Sequence, residues 1–397
     1  MMERNHMLAF APLRNKICSA LLVLFLCLFA VAYFHKQKPT PKVAFPQKAW
    51  DTIVYNSLSS LIDDCRNAGN YAVFDFDKTT IVHDVSNALM IYQIEQLRFA
   101  DAADHAFLDG ISDVDAPLEG IGLSSAQMGA VLQEEFRRMK ARLASGESLE
   151  QVHQSDDYLD FRARFISYLD ALSQTFPEEV WYAWMPGLMT GMTDPEARSL
   201  VSDAIDDQLG IDKLKVEKWT SPDGKWGGPV EKGIYLSQEM RDFYRALNQN
   251  GIDTYVCSAS LELIVEVLAC DSLRGLGLNP DRVYGLRFVP SEHIEPVYDA
   301  TYPQPMFTGK VECIKALIAP DYGGRGPILV AGDSNGDVAM LTSFADTRHG
   351  LVIDVGRKPE SPIGQLASQA RREQNKGRYL LQPAFAKAQS DVEWDGI

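Results

Sequence analysis

Zinc-type cysteine pairs, basic clusters, internal repeats and low-complexity tracts are all missing from this sequence. Of its six cysteines, two lie in an apolar run, and the other four (Cys65, Cys257, Cys270 and Cys313) form no CxxC pair, so their spacing gives no zinc site. They read as small buried hydrophobes, with one disulfide left open if the protein is exported. The seven histidines are scattered. None is assigned to metal or catalysis, His83 beside the first acidic motif included. Basic residues are outnumbered, 38 against 54 acids. Residues 1–40 hold five of the basic side chains and one acid, which leaves 33 basic against 53 acidic residues in the remainder, a net −20. So acidic a body repels a phosphate backbone and argues against nucleic-acid binding. It favours cationic ligands. The hydrophobic content, 46% of 397 residues, is enough for one large core or two moderate ones.

One long hydrophobic run is present. Residues 17–34 read ICSALLVLFLCLFAVAYF, with Arg14 and Lys16 before them and His35-Lys36 after. A core helix would show a polar face, and this run has none, so residues 1–35 read as a secretory signal or a membrane anchor. The length favours an anchor, while Ala30-Val31-Ala32 offers a small-x-small cleavage site. Either way the body is expected to be exported, periplasmic or otherwise extracytoplasmic. Residues 36–49 read as a basic, proline-containing linker.

Beyond the linker, a helical pattern over residues 50–68 stops at Gly69, and residues 71–74 form a short apolar strand running into Asp75-Phe76-Asp77. Residues 84–235 read as mainly helical, with starts at Ser124 (a capping box with Gln127), Ser155 and Thr193. Residues 214–233 read instead as a β-hairpin or a loop around Pro222-Asp223-Gly224. From Ser237 on, helices and strands alternate, with strands at 254–257, 283–288, 327–331 and, last, 351–353. Residues 357–397 are polar and read as a partly loose extension. Such alternation implies an α/β fold, a parallel sheet with helices on both faces and its site at the carboxyl ends of the strands.

Four short elements stand at those ends. Asp75 and Asp77 follow the first strand at a spacing that lets both face one cleft, although acidic turns are common. Ser258, in Ser258-Ala259-Ser260, stands between a strand and a helix, where a hydroxyl and free amides suit a phosphate oxygen; an ordinary helix-capping serine is the alternative. Lys310 opens a helix, either as a cation for a phosphoryl group or as a solvated surface lysine. Gly332-Asp333-Ser334-Asn335-Gly336-Asp337 puts two acids four apart on a glycine-bearing turn, which suits a hard cation with oxygen ligands.

In this order the four elements resemble the motifs of the haloacid dehalogenase-like phosphatase superfamily, over residues 71–355. The resemblance implies a Rossmann-like core, residues 50–83 and 236–356, with a mainly helical cap, residues 84–235, inserted after the first motif. It implies Asp75 as nucleophile and Asp77 as general acid, then base. Asp75, Asp333 and the main-chain carbonyl of Asp77 would hold Mg²⁺ with Asp337 close by, while Thr79, Ser258, Ala259 and Lys310 would bind the phosphoryl group. The charges agree, because an anionic nucleophile approaches an anionic phosphate only where a metal and a lysine offset the repulsion. The Asp77-Lys78-Thr79 run also resembles the phosphorylation motif of cation-pumping ATPases, but Thr80 stands where those have glycine, and one apolar run is too few.

Within the superfamily the chain is similar to the phosphoserine phosphatase-like branch and, through Ser258-Ala259-Ser260, LMTGMTDPE at 188–196 and Gly233-Ile234-Tyr235, to exported bacterial phosphorylcholine phosphatases. Lys78 departs from that group's usual polar residue. The resemblance implies a small phosphomonoester substrate. Asp84, nine residues after Asp75, has the spacing of an acid that faces a substrate amine in that branch, or else caps a helix. Trp181, Tyr182 and Trp184 could supply a cation–π wall, as could Trp219 or Trp226, or these rings could simply pack the core or stack on the hairpin. Phosphocholine, phosphoethanolamine or phosphoserine would suit such a site. A broad-specificity acid phosphatase or phosphotransferase, and a non-catalytic binding protein on the same fold, are the competing readings.

Overall fold

The computed structural model describes residues 41–100, 115–211 and 214–385. The apolar run at 17–34 lies outside them, and among the described residues no helix is long and apolar enough to cross a membrane. All elements below belong to one unit, Ala44–Ile397.

Strand β1 (Asn70–Phe74) lies inside a parallel sheet because its side chains are apolar on both faces, the pattern of a strand covered on both sides. Ala72 and Phe74 pack with helices α1 (Thr52–Cys65), α9 (Gln238–Gln249) and α10 (Glu262–Ala269) on one face. Tyr71 and Val73 pack with α11 (Thr308–Cys313), α12 (Val338–Ser343) and α13 (Pro362–Arg372) on the other. The remaining strands are β4 (Ile252–Leu261), β5 (Val283–Leu286), β6 (Leu329–Gly332), β7 (His349–Asp354) and β8 (Tyr379–Pro383). Their order across the sheet is β5-β4-β1-β6-β7-β8, all parallel.

Two expectations are corrected. The strand at 351–353 is not the last: residues 362–383 supply α13 and the edge strand β8, so this part of the extension is integral. Buried Gln382 holds β8 to the N-terminal end of α1, accepting from the Asp51 amide at 2.9 Å. The second correction concerns β4, which runs on to Leu261, so Ser258 lies within a strand rather than at a helix start and Leu261 itself caps α10.

The inserted segment is divided between two cores. Helices α3 (Ser125–Ala144), α4 (Leu149–His153) and α5 (Asp156–Thr175), each begun by a capping serine, and the hairpin β2 (Lys215–Thr220)–β3 (Gly227–Lys232) enclose a separate aromatic cluster with Phe136, Phe161, Phe165, Trp184, Trp219 and Trp226. Helix α2 (Val85–Gln96) is shared, Val85 and Leu89 facing the sheet-side core and Ile91 and Ile94 the aromatic cluster. Helix α8 (Asp194–Leu209) belongs to the sheet-side core through Leu200 and Val201. The two connections between sheet and cap run side by side: the Val82 amide donates to the Tyr235 carbonyl at 2.8 Å and the Tyr235 amide to the Val82 carbonyl at 3.3 Å.

Candidate active site

The first motif continues β1. The Asp75 amide donates to the Ala331 carbonyl of β6 at 2.9 Å, so the carboxylate emerges at the carboxyl end of the sheet's middle. There the chain turns back: the Thr80 hydroxyl donates to the Asp75 carbonyl at 2.7 Å and lies 2.9 Å from the Tyr244 hydroxyl. These bonds fix Asp75 from behind and leave its side chain facing a cleft.

Lys310 reaches Asp75 from the opposite face of the sheet. Its Nζ donates to Asp75 Oδ1 and Asp337 Oδ1, both at 2.7 Å, and the side chain is only 2% exposed. Burial alone would lower its pKa, but the Asp337 and Asp75 carboxylates outweigh that and hold the ammonium charged. The other oxygen of Asp337 accepts from the Asp333 and Ser334 amides and the Ser334 hydroxyl. Asp337 thus braces the loop with both oxygens occupied. Gly332 is required beneath it, since a Cβ there would collide with the Asp337 side chain. Asp333 accepts from the Thr79 hydroxyl at 3.2 Å and from Arg357 Nη2 at 2.6 Å.

Carboxylate oxygens of Asp75, Asp333 and Asp337 lie within 4.8 Å of one another, and all three residues are buried. Burial pushes Asp75 upward, as do Asp337 and Asp333, with Lys310 opposing. Burial, then Asp337, does the same to Asp333, with Arg357 opposing. Three carboxylates therefore face two cations, and Asp75 Oδ2 accepts no hydrogen bond among the described residues. A hard divalent cation fits such a set of oxygen donors, and Asp75 and Asp333 are the residues that would hold Mg²⁺. The carboxylate of Asp77 is engaged elsewhere, so any share it has in the metal site falls to its main-chain carbonyl.

Asp77 Oδ1 accepts from the Val85 amide at 2.7 Å and Oδ2 from the Ser260 hydroxyl at 2.7 Å. Ser260 in turn accepts from Ser86, and its amide donates to Ser258 Oγ at 3.1 Å. Phe74 pairs with Val256, so residues 258–260 run beside the Asp75–Asp77 loop. Burial raises Asp77 well above the usual carboxylate range, Asp84 adding to it and the Val85 and Ser260 bonds opposing. A carboxyl raised in this way can hold a proton that an ordinary carboxylate would release.

The cleft above these groups has a volume of about 790 Å³. Asp75, Asp77, Ser258, Ala259, Lys310 and Asp333 line its floor. Asp84 and Trp181 line its cap side. Asp84 also caps α2, its Oδ1 accepting from the Asn87 amide at 2.8 Å, so the two readings of this residue coexist. Burial pushes its carboxyl up, against the Asn87 bond and Lys78. Trp184 is a correction. It is fully buried among Phe165 and Tyr168 and does not line the cleft, because it turns into the cap's aromatic cluster. Tyr182 lines the cleft instead, stacked on Trp181 with centroids 4.4 Å apart.

Three contributors escaped the sequence reading. Ser260 was legible in principle, since alternation puts it on the same side of the strand as Ser258. Arg357 carries no local signal, being one charge in a polar stretch. Glu231 pairs with Lys78 at 3.0 Å, fastening the first motif to the cap hairpin.

No family model matches the chain. A phosphorylcholine phosphatase of Pseudomonas aeruginosa is 23% identical over 237 residues, 60% of this chain and 54% of that protein. The chain thus spans about half the length of this curated relative. A solved structure of a conserved, functionally unknown protein from Anaerococcus prevotii DSM 20548 superimposes with a TM-score of 0.76 at 28% identity, covering 89% of this chain and 99% of that one. Together with four motifs gathered at the carboxyl end of one parallel sheet, these likenesses agree with the resemblance to haloacid dehalogenase-like phosphatases seen in the sequence.

Proposed function

We propose that the protein hydrolyses phosphate monoesters through an aspartyl-phosphate on Asp75. The observation that carries this reading is the division of labour between two adjacent acids: Asp75 ion-paired to buried Lys310, Asp77 held apart on Ser260 with a raised pKa. An Asp75 oxygen attacks phosphorus while the ester P–O bond breaks, and Asp77 gives its proton to the departing alkoxide, releasing the alcohol. Asp77, now a carboxylate, takes a proton from water. The water oxygen attacks phosphorus, the bond to Asp75 breaks and inorganic phosphate leaves. Lys310 neutralises the phosphoryl group throughout, and Ser258 donates to one of its oxygens. Bound Mg²⁺ would supply further charge neutralisation between nucleophile and phosphate.

For the leaving group, a small cation such as choline, ethanolamine or the serine amine is supported by Asp84 and the stacked Trp181–Tyr182 pair at the cap side of the cleft. The name of the Pseudomonas aeruginosa relative points the same way. The volume of about 790 Å³ favours the second reading, a broad-specificity acid phosphatase or phosphotransferase, since pockets of this size admit much larger ligands. The uncharged run at 17–34 supports a location outside the cytoplasm.

The test is a panel of phosphocholine, phosphoethanolamine, phosphoserine and glycerol phosphate, with and without an alcohol acceptor, run on the wild type and Asp75→Asn. The variant should fold and lose turnover by several orders of magnitude. Near-wild-type hydrolysis by Asp75→Asn would sink the covalent mechanism.

A further inference from the structure

We infer that Phe307 determines which leaving groups the cleft accepts, its ring forming, with Trp181 and Tyr182, an aromatic lining against which a quaternary-ammonium or aromatic group packs. The inference rests on the phosphomonoesterase reading above.

The backbone at Phe307 has φ 50° and ψ −115°. The Gly309 amide donates to the Met306 carbonyl at 2.7 Å, closing a turn with Phe307 at its first central position. These are the angles of a type II′ turn, whose first central position belongs to glycine because an L side chain is strained there. The turn delivers Lys310, and glycine at 307 would deliver it equally well. The same turn does use glycine where space demands it: at Gly309 a Cβ would collide with the Gln304 carbonyl. A ring kept at a glycine position calls for a reason in the side chain.

Core packing is not that reason. Phe307 is half-buried and belongs to none of the hydrophobic clusters among the described residues. Nor does it pair with another ring there. It lines the same cleft as Lys310, Ser258, Trp181 and Tyr182. A strained, weakly packed ring in a cleft with a charged floor is suited to a ligand that brings its own apolar or cationic surface. The phosphoryl subsite lies at Lys310, so that surface is the leaving group.

The test uses the full chain with Phe307→Gly, which relieves the backbone, and Phe307→Leu, which keeps bulk and strain but removes the ring. Two esters are compared, phosphocholine and methyl phosphate, together with inhibition by inorganic phosphate. In both variants the ratio of kcat/KM for phosphocholine over methyl phosphate should fall about three- to thirtyfold, chiefly through KM, as loss of an aromatic face from a cation would give. The phosphate inhibition constant should stay within about twofold of wild type, which separates a wall from a support of Lys310. An unaltered ratio in both variants overturns the inference. So does a parallel loss on both esters with weakened phosphate inhibition, which would make Phe307 a support of Lys310. A wild type that hydrolyses neither ester overturns the phosphomonoesterase reading and this inference with it.

Discussion

Glu135 sits in α3 inside the cap and is 4% exposed. Arg164 Nε lies 3.0 Å from its Oε1, but Oε2 has no hydrogen-bond partner among the described residues. Burial pushes this carboxyl from 4.5 up to about 7, outweighing Arg164. A raised acid destabilises the fold as pH climbs. Between 4.5 and about 7 the folded protein keeps a proton that the unfolded chain has already released, so stability falls across that window. Below it the penalty is absent, and above it the penalty is complete, at about 3 kcal/mol from about 1.4 kcal/mol per pKa unit. Glu135→Gln removes the titration while keeping the shape. Arg164 is not stranded by the change, because Asp160 lies 4.0 Å away and the guanidinium sits 5.2 Å from the Trp226 centroid. The variant should therefore be more stable than wild type by roughly 2–3 kcal/mol at pH 8, the gain shrinking to about 1 kcal/mol at pH 5.5. Urea unfolding followed by tryptophan fluorescence suits the assay, since Trp184, Trp219 and Trp226 all lie in the cap cluster. A variant no more stable than wild type at pH 8, or a gain that does not change with pH, would refute the reasoning.

Lys310→Met removes a buried cation bonded to both Asp75 and Asp337 and should cost about 3–5 kcal/mol, read by denaturant unfolding, along with turnover; a neutral effect on stability would contradict the ion-pair account. Mg²⁺ at about a hundredfold above its Kd should stabilise the wild type by about 2.7 kcal/mol and Asp333→Ala by much less, measured by thermal shift, with full activity after exhaustive chelation the contrary result. Asp84→Asn should lower the kcat/KM ratio of phosphocholine over glycerol phosphate by about tenfold, a decade per ~1.4 kcal/mol, and equal rates for the two esters in the wild type would leave the broad-specificity reading. An alkaline phosphatase fusion after about residue 45 should be active, and an inactive but well-expressed fusion would contradict export.

What could be read from the sequence followed from burial. β1 is apolar on both faces because it lies inside the sheet, and a chemically distinct residue directly after such a strand stands out. The capping serines at 124, 155 and 237 were legible for a similar reason, since each satisfies amides exposed by the helix it starts. The failures were places where tertiary contact decides. β8 is a short edge strand ending in Pro383, preceded by a helix whose buried face is mostly small: Ile363, Gly364, Ala367 and Ala370. Neither feature raises local hydropathy enough to mark a strand. Arg357 meets Asp333 only because the sheet returns the chain to the same edge 24 residues later. Trp181 and Trp184 are three apart and would share a face of a continuous helix. Here the helix breaks between α6 (Glu178–Trp181) and α7 (Trp184–Gly187), so one ring faces the cleft and the other the core.

Backbone strain recurs around the cleft. Lys78, His83 and Phe307 have positive φ without being glycine or asparagine and stand in or beside the motif loops, whereas three others, Lys48, Leu97 and Gln374, do not. The first two have a structural account. Lys78 donates its amide to the His83 carbonyl at 3.0 Å, and His83 places Nδ1 2.8 Å from the Gly233 carbonyl, so the strained pair knots the first motif to both cap connections. The acids tell the same story in charge: Asp75 and Asp333, both buried, and half-buried Asp77 have raised pKa values, at a cost in stability that no fold requires. Glu135 in the cap shows that a raised acid is not confined to the cleft, but among the described residues only in the cleft do strained backbone and several raised acids meet a buried lysine, which is expected of a site kept for its chemistry. That combination also weighs against a non-catalytic binding protein on this fold, which would need a phosphate cradle at Lys310 and Ser258 but not a second acid held apart on Ser260 with its pKa raised.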